Sequence, residues 1–254
     1  MADLHAEGQK PDVLFWVGCA GSFDQRAQKV TVAFCKILNE LNINFAVLGK
    51  EESCTGDPAR RAGNEFAFQM KAQENIMVLN NYGVRKIVAT CPHCFNILKN
   101  EYPKLGLQDT QVMHHSQFLQ QLIDEGQLKV SGGAFQGKTI TYHDSCYLGR
   151  ANEVYEAPRD IIKSIDKDLV EMRDNKQKGL CCGAGGAQMF KEDEAGERRI
   201  NAARTDQVLE TGADVVAANC PFCITMLQDG LKERDKSNVM VLDLSELIVQ
   251  SNNL

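Results

Sequence analysis

The sequence predicts an α/β protein built as two pseudo-symmetric halves. Each half has a mainly parallel sheet, flanking helices and its cysteines at the carboxyl edge of the strands. Three observations lead there. The cysteines repeat: Cys19 precedes Cys54 by 35 residues, Cys146 precedes Cys181 by 35, and each series closes on a Cys-Pro-x-Cys, Cys91–Cys94 and Cys220–Cys223. Short apolar runs alternate with longer segments of helical period, the pattern of a parallel sheet with crossover helices. A Gly-rich polar joint, "DEGQLKVSGGAFQGK" at 124–138, separates the two series and divides the chain into halves 1–125 and 126–254.

The elements follow in order. In the first half, "VLFWVG", "NFAVLG", "KIVAT" and "QVMHH" read as short buried strands. Phe34, Ile37, Leu38 and Leu41 recur at helical spacing between the first two, and Phe66, Met70 and Met77 form a stripe on a later helix. In the second half, "TITYHD", "DLVEM", "VVAAN" and "NVMVLD" are the strands, with helices near 156–165, 192–211 and 222–232. The flanking text repeats as well: "NNYGVRKIVATCPHC" resembles "LETGADVVAANCPFC". Cys19, Cys91, Cys146 and Cys220 each follow a strand, and open α/β sheets build ligand sites beyond the carboxyl ends of their strands. Cys54 and the Cys181–Cys182 pair lie in loops that can reach the same edge.

Composition narrows the chemistry. The chain has 254 residues, 43% of them hydrophobic, enough for one large or two smaller cores without disulfides. A net charge of −6 with no Lys/Arg block argues against nucleic acid as a partner. The N-terminal text lacks a basic region followed by an apolar one, and no run reaches the ~18 apolar residues of a membrane span, so a cytoplasmic protein is expected. Ten cysteines in a reducing compartment point to metal binding or redox chemistry.

A lone CPHC or CPFC is also what a thioredoxin-like dithiol looks like, but a dithiol enzyme has no use for the matched cysteines upstream. The first half offers Cys19, Cys54, Cys91 and Cys94, which suit a tetrahedral zinc site. The second offers five, Cys146, Cys181, Cys182, Cys220 and Cys223. Five is one too many for closed zinc, whereas an iron–sulfur cluster distributes thiolates over several irons. The glycines of "CCGAGG", Gly183 first, let the backbone pass close to such a cluster and aim N–H groups at its sulfurs.

This pattern, Cys, then Cys-Cys-Gly, then Cys-x-x-Cys, twice over about residues 13–248, resembles the CCG or cysteine-rich domain of heterodisulfide reductase catalytic subunits. Similar domains occur in iron–sulfur subunits of glycolate oxidase, lactate-utilisation enzymes and anaerobic glycerol-3-phosphate dehydrogenase. The resemblance implies a non-cubane [4Fe–4S] cluster on Cys146, Cys181, Cys182, Cys220 and Cys223 as the reactive centre. "ESCTGDPARR" departs from the pattern, with Thr55 where the second half has Cys182. Four matching thiols favour a cubane [4Fe–4S] cluster on Cys19, Cys54, Cys91 and Cys94, with zinc as the fallback, and Thr55 would either hydrogen-bond a cluster sulfur or cap local backbone. The loss argues against heterodisulfide cleavage between two non-cubane clusters.

The resemblance further implies an oxidoreductase subunit passing electrons between redox partners and a terminal acceptor, quinone-linked or a disulfide. The partners would be a ferredoxin-type iron–sulfur subunit, which could tie the chain to the inner membrane, and a flavoprotein dehydrogenase or electron-transfer flavoprotein. A thiol/disulfide reductase of heterodisulfide reductase type and a zinc-stabilised scaffold are the alternatives. No GxGxxG fingerprint marks a flavin or nicotinamide site of the chain's own.

Of the remaining residues, His143 precedes Cys146 and could give a proton or hydrogen bond to the cluster, as could Asp144, although a strand-end pair satisfied by backbone explains both equally well. Cys35 reads as a helical core thiol. His93, inside CPHC, would tune rather than ligate, His114 and His115 look structural, and Phe15 and Trp16 fill the core.

Overall fold

The computed structural model describes residues 1–131, 133–165, 169–192 and 195–254. The chain divides into two compact units, Met1–Phe118 and Leu119–Leu254. The first holds a four-stranded, all-parallel sheet of β1 (Val13–Trp16), β2 (Phe45–Ala46), β3 (Lys86–Ala89) and β4 (Gln111–His114), in the order β2-β1-β3-β4. The second holds a parallel sheet of β5 (Ile140–His143), β6 (Val215–Ala218) and β7 (Met240–Leu242), in that order. The architecture is therefore the α/β one that the sequence predicts. Every residue of β1, β5 and β6 is buried, which is why these strands read as unbroken apolar runs rather than alternating ones.

In the first unit the chain leaves β1 toward β2 on one side and returns to β3 on the other. Strand order reverses between β1 and β3, and Cys19 and Cys91 follow the ends of those two strands, at the crevice where such sheets take ligands. The helix Gln25–Glu40 is capped by Asp24, which accepts from the Ala27 N–H at 2.8 Å, and it packs Phe34, Ile37 and Leu38 inward, with Phe15 edge-on to Phe34. Trp16 is fully enclosed. The helix Glu65–Asn81 departs from expectation. Phe66, Met70 and Met77 are 76%, 50% and 60% exposed, and Phe68, Ala72, Asn75, Ile76 and Leu79 face inward instead. The rotation has a local cause. Asn64 caps the helix through the Ala67 N–H, and Gly56 (φ +86°) lies so close that a Cβ there would sit 3.0 Å from Phe68, so the Phe68 face turns toward the loop of Cys54.

In the second unit the helices Glu156–Ser164 and Pro221–Lys232 lie where expected. Of the helix expected over 192–211, residues 193–194 lie outside the described residues, and the described helix is Ile200–Glu210. Of the expected strand "DLVEM", Asp168 lies outside them. Leu169 makes an isolated parallel bridge to Ile140, on the β5 edge away from β6, which is the place β2 holds beside β1. In the joint, where Gly132 lies outside the described residues, Ser131 is tied to the C-terminal helix Leu244–Asn252. Its N–H donates to Asn252 at 2.8 Å and its hydroxyl to the Ser251 carbonyl at 3.0 Å.

Candidate metal centres

In the first unit, Gly18 (φ +75°) opens the short helix Gly18–Phe23 that carries Cys19, and a Cβ on Gly18 would lie 3.3 Å from the Cys94 sulfur. That turn is clamped by Glu52, whose carboxylate accepts the Val17 N–H at 3.1 Å and the Gly18 N–H at 2.5 Å. Burial raises the Glu52 carboxyl to about 7, against the pull of those two donors. The next loop carries Cys54, held by Asn75. The Asn75 amide donates to the carbonyls of Ser53 (3.3 Å) and Cys54 (3.1 Å) and accepts from the Ser53 N–H at 3.2 Å. Tyr102 completes the cradle by donating to the Thr55 carbonyl at 3.1 Å. Cys91 caps the helix Pro92–Asn96, which contains Cys94, and both are buried.

The thiols meet. Cys19 donates to Cys54, which lowers Cys54 to about 6 and raises Cys19, and Cys94 donates to Cys91. The buried Thr55 hydroxyl donates to the Cys94 sulfur at 3.8 Å, standing where the second unit has a fifth thiol. His93 is buried with its Nδ1 bonded to Asp57 at 2.8 Å, and Asp57 also pairs with Arg61.

In the second unit the five thiols form one continuous chain of contacts: Cys146 to Cys181, Cys181 to Cys182, Cys182 to Cys223 at 3.3 Å, and Cys223 to Cys220. All are free thiols. Donation from Cys146 and Cys182 lowers Cys181 far below its ordinary value, while Cys182, donating to Cys181, is pushed up to about 12. Gly183 adopts φ +91°, where its N–H donates to Cys181 at 3.3 Å and a Cβ would lie 3.2 Å from Ile200. A nitrogen of His143 and the sulfurs of Cys182 and Cys223 lie within 4.8 Å of one another.

The polar residues around this set fall into two groups. Asp144 belongs to a structural ion pair: both its oxygens accept from Arg159 at 2.9 Å, Arg159 also pairs with Glu171, and the Lys176 N–H donates to Asp144 at 2.7 Å. In contrast, His143 Nε2, Ser145 Oγ, Arg204 Nη2 and both amide atoms of Asn219 are buried with no hydrogen-bond partner among the described residues. Interiors leave few polar atoms orphaned, and here they flank Cys146, Cys182 and Cys220.

Sequence reasoning singles out these thiols but misses Glu52, Asn75, Tyr102 and Arg204. A signal for two of them was present. Arg204 precedes Cys220 by sixteen residues, as Asn75 precedes Cys91.

The cysteine-rich domain profile, CCG, matches residues 13–99 and again 140–228. The chain belongs to the CCG family. This CCG protein is 45% identical over 251 residues to the probable iron-sulfur-binding oxidoreductase FadF of Bacillus subtilis, a match covering 98% of this chain and 35% of that protein. It is 42% identical to the EtfAB:quinone oxidoreductase of Syntrophomonas wolfei, over 96% of this chain and 35% of that one. It is 34% identical to one subunit of the dihydromethanophenazine:CoB--CoM heterodisulfide reductase of Methanosarcina barkeri, over 95% of this chain and 59% of the relative. The CCG protein thus spans about a third of the length of the first two relatives. A hypothetical protein from Helicobacter pylori shares the fold, with a TM-score of 0.63 at 12% identity over 95% of this chain and 49% of that one.

Proposed function

We propose that this CCG protein is the electron-transferring, cysteine-rich part of an iron–sulfur oxidoreductase. The observation that carries the reading is the unbroken five-thiol chain of the second unit, ringed by buried polar atoms without partners. That donor set fits an iron–sulfur group: five soft ligands exceed what closed zinc takes, and orphaned N–H and O–H groups are what cluster sulfurs accept from. A bound iron–sulfur cluster supplies one-electron transfer.

The residues then divide the work. Cys146, Cys181, Cys182, Cys220 and Cys223 hold a non-cubane [4Fe–4S] cluster, and the Gly183 N–H donates to the Cys181 sulfur. Cys19, Cys54, Cys91 and Cys94 hold a cubane [4Fe–4S] cluster, with Thr55 giving its hydroxyl to Cys94 in place of a fifth ligand. Zinc at the first set is the second reading, since four thiols close a tetrahedron.

A cluster held by the second set would take electrons from a flavoprotein or ferredoxin-type partner and pass them to a quinone-linked or disulfide acceptor. The names of the FadF, EtfAB:quinone and heterodisulfide reductase relatives support this assignment. Among the described residues no helix is long and apolar enough to cross a membrane. The name of the probable membrane-anchored ferredoxin of Chromohalobacter salexigens, of which this chain covers 37%, supports work beside a membrane-linked partner.

The deciding experiment is iron, zinc and acid-labile sulfide content after anaerobic purification. About eight irons with matching sulfide support two four-iron clusters, and about four irons with one zinc assign zinc to the first set. Zinc without sulfide overturns the electron-transfer reading. A change in the loaded protein's paramagnetic signal on adding a disulfide, abolished in Cys182→Ser, would add thiol/disulfide reduction to the reading.

A further inference from the structure

Among the described residues of the second unit two arginines are buried, and only one is paired with a carboxylate. Arg159 is held between Asp144 and Glu171. Among the described residues Arg204, with no exposed surface, bonds no carboxylate, and the carboxylates of Asp144 and Asp174 act on it only through space. Its Nη1 donates to the Asp174 carbonyl (2.7 Å) and the Gln207 side chain (2.6 Å), its Nε donates to His143 Nδ1 (3.0 Å), and its Nη2 has no partner. An unneutralised buried guanidinium is costly and persists only where an anion answers it.

The bond to His143 also sets that ring's tautomer. Guanidinium nitrogen can only donate, so Nδ1 accepts and the single proton of the neutral ring sits on Nε2. The ring is fully buried, and with Nδ1 accepting from a guanidinium it has no place for a second proton, so it stays neutral. Its Nε2–H is buried without a partner among the described residues, on a ring that lies with Cys182 and Cys223.

The repeat shows what the first unit has instead. Asn75 occupies the position of Arg204, and its amide is engaged by Ser53, Cys54 and Tyr102. Trp16, the last residue of β1 and paired with Ala89 as His143 is with Ala218, occupies the position of His143. The Trp16 indole N–H is, like His143 Nε2, buried without a partner among the described residues, so what sets the second unit apart is the cation that stands where the first has a neutral amide.

We propose that Arg204 and His143 form a buried donor relay that serves the five-cysteine centre and makes it the more readily reduced of the two. Arg204 is a positioning residue, fixing the proton on His143 Nε2 and supplying a fixed positive charge. His143 presents the N–H to a cluster sulfur. Both effects stabilise the state with one more negative charge and so raise the potential. The inference rests on the iron–sulfur reading. The electron itself comes from the reduced partner of that reading.

The test is the reduction potential of each centre in the loaded full chain, measured with iron and sulfide content, for wild type, His143→Leu, His143→Gln, Arg204→Met and Arg204→Lys. His143→Leu and Arg204→Met are expected to lower the second potential by at least tenfold in the one-electron equilibrium, about 59 mV, and to leave the first unchanged. Gln keeps an N–H near the Nε2 position and Lys keeps the charge, so each should recover part of the loss. Should Arg204→Met fail to fold or load, the His143 pair, which retains the arginine, decides alone. Full iron and sulfide with an unmoved second potential in His143→Leu overturns the relay and leaves the iron–sulfur reading intact. Absence of sulfide from wild type overturns both.

Discussion

At Cys54, the Cys19 thiol and the Gly56 N–H (3.5 Å) direct hydrogens at one sulfur, and the thiol falls to about 6. In the reduced, metal-free chain Cys54 is therefore a thiolate at neutral pH, while Cys19 and Cys146 are held protonated by the sulfurs they donate to. Alkylation by iodoacetamide, followed by peptide mass mapping, should label Cys54 at a rate that rises through pH 6 and levels off above about pH 7. Cys181, lowered further, should react at a rate nearly flat between about pH 5 and 8, and both should outpace Cys19 and Cys146. These inequalities were not legible in the sequence, because they depend on which thiol donates to which. The thiol set itself was legible, since spacing alone paired Cys19 with Cys146 and the two CPxC motifs with each other. Thr55 was legible as a replacement but not as a donor to Cys94.

Among the elements, the helix Glu65–Asn81 bears on the first centre through one residue. Asn75→Ala removes four hydrogen bonds and strands the Ser53 and Cys54 carbonyls inside, where each unsatisfied group costs about 1–3 kcal/mol. Urea unfolding should show the metal-free first unit destabilised by about 2–4 kcal/mol, whereas Met70→Ala, on the exposed face, should change it by less than about 0.5 kcal/mol.

The turn after β1 carries a pH dependence of its own. Glu52 is raised by burial from the ordinary 4.5 to about 7, so its contribution to stability is complete below about pH 4.5 and is lost as pH rises through about 7. The difference in unfolding free energy between wild type and Glu52→Gln should change over that window and be flat outside it, as read from urea melts in buffers from about pH 4 to 8. The apolar periodicity of Phe66, Met70 and Met77 predicts the wrong face for this helix, because a polar Asn was needed inside. Period alone does not register a backbone that must be satisfied.

For the whole molecule, ligand-dependent stability distinguishes the two units. Each places free thiols at the end of a parallel sheet, so a bound metal group adds stability to the folded state, about 4 kcal/mol where it is present at a thousandfold its dissociation constant. Anaerobic chelation should lower the thermal midpoint. The second unit should lose more, because removing the group leaves Arg204 Nη2, His143 Nε2 and the Asn219 amide unanswered, one of them on a buried cation, whereas the orphaned atoms beside the first set, Trp16 Nε1 and Ser53 Oγ, are neutral. Differential scanning calorimetry of loaded and stripped protein checks this, and equal losses in the two units would count against a special role for the buried arginine.

The sequence by itself determined the two-fold α/β plan, the nine thiols, the four-against-five asymmetry and the family, because strand runs, cysteine spacing and the repeat are local or periodic properties of a chain. Only the tertiary structure decided which sulfurs touch, that Glu52 and Asn75 hold the loops of the first set, that Asp144 belongs to a structural ion pair, and that Arg204 stands unneutralised behind His143. Those facts turn on burial and on which partner each hydrogen bond finds. Residues 61 positions apart, as His143 and Arg204 are, show no such relation until the sheet and the helix Ile200–Glu210 bring them within 3.0 Å.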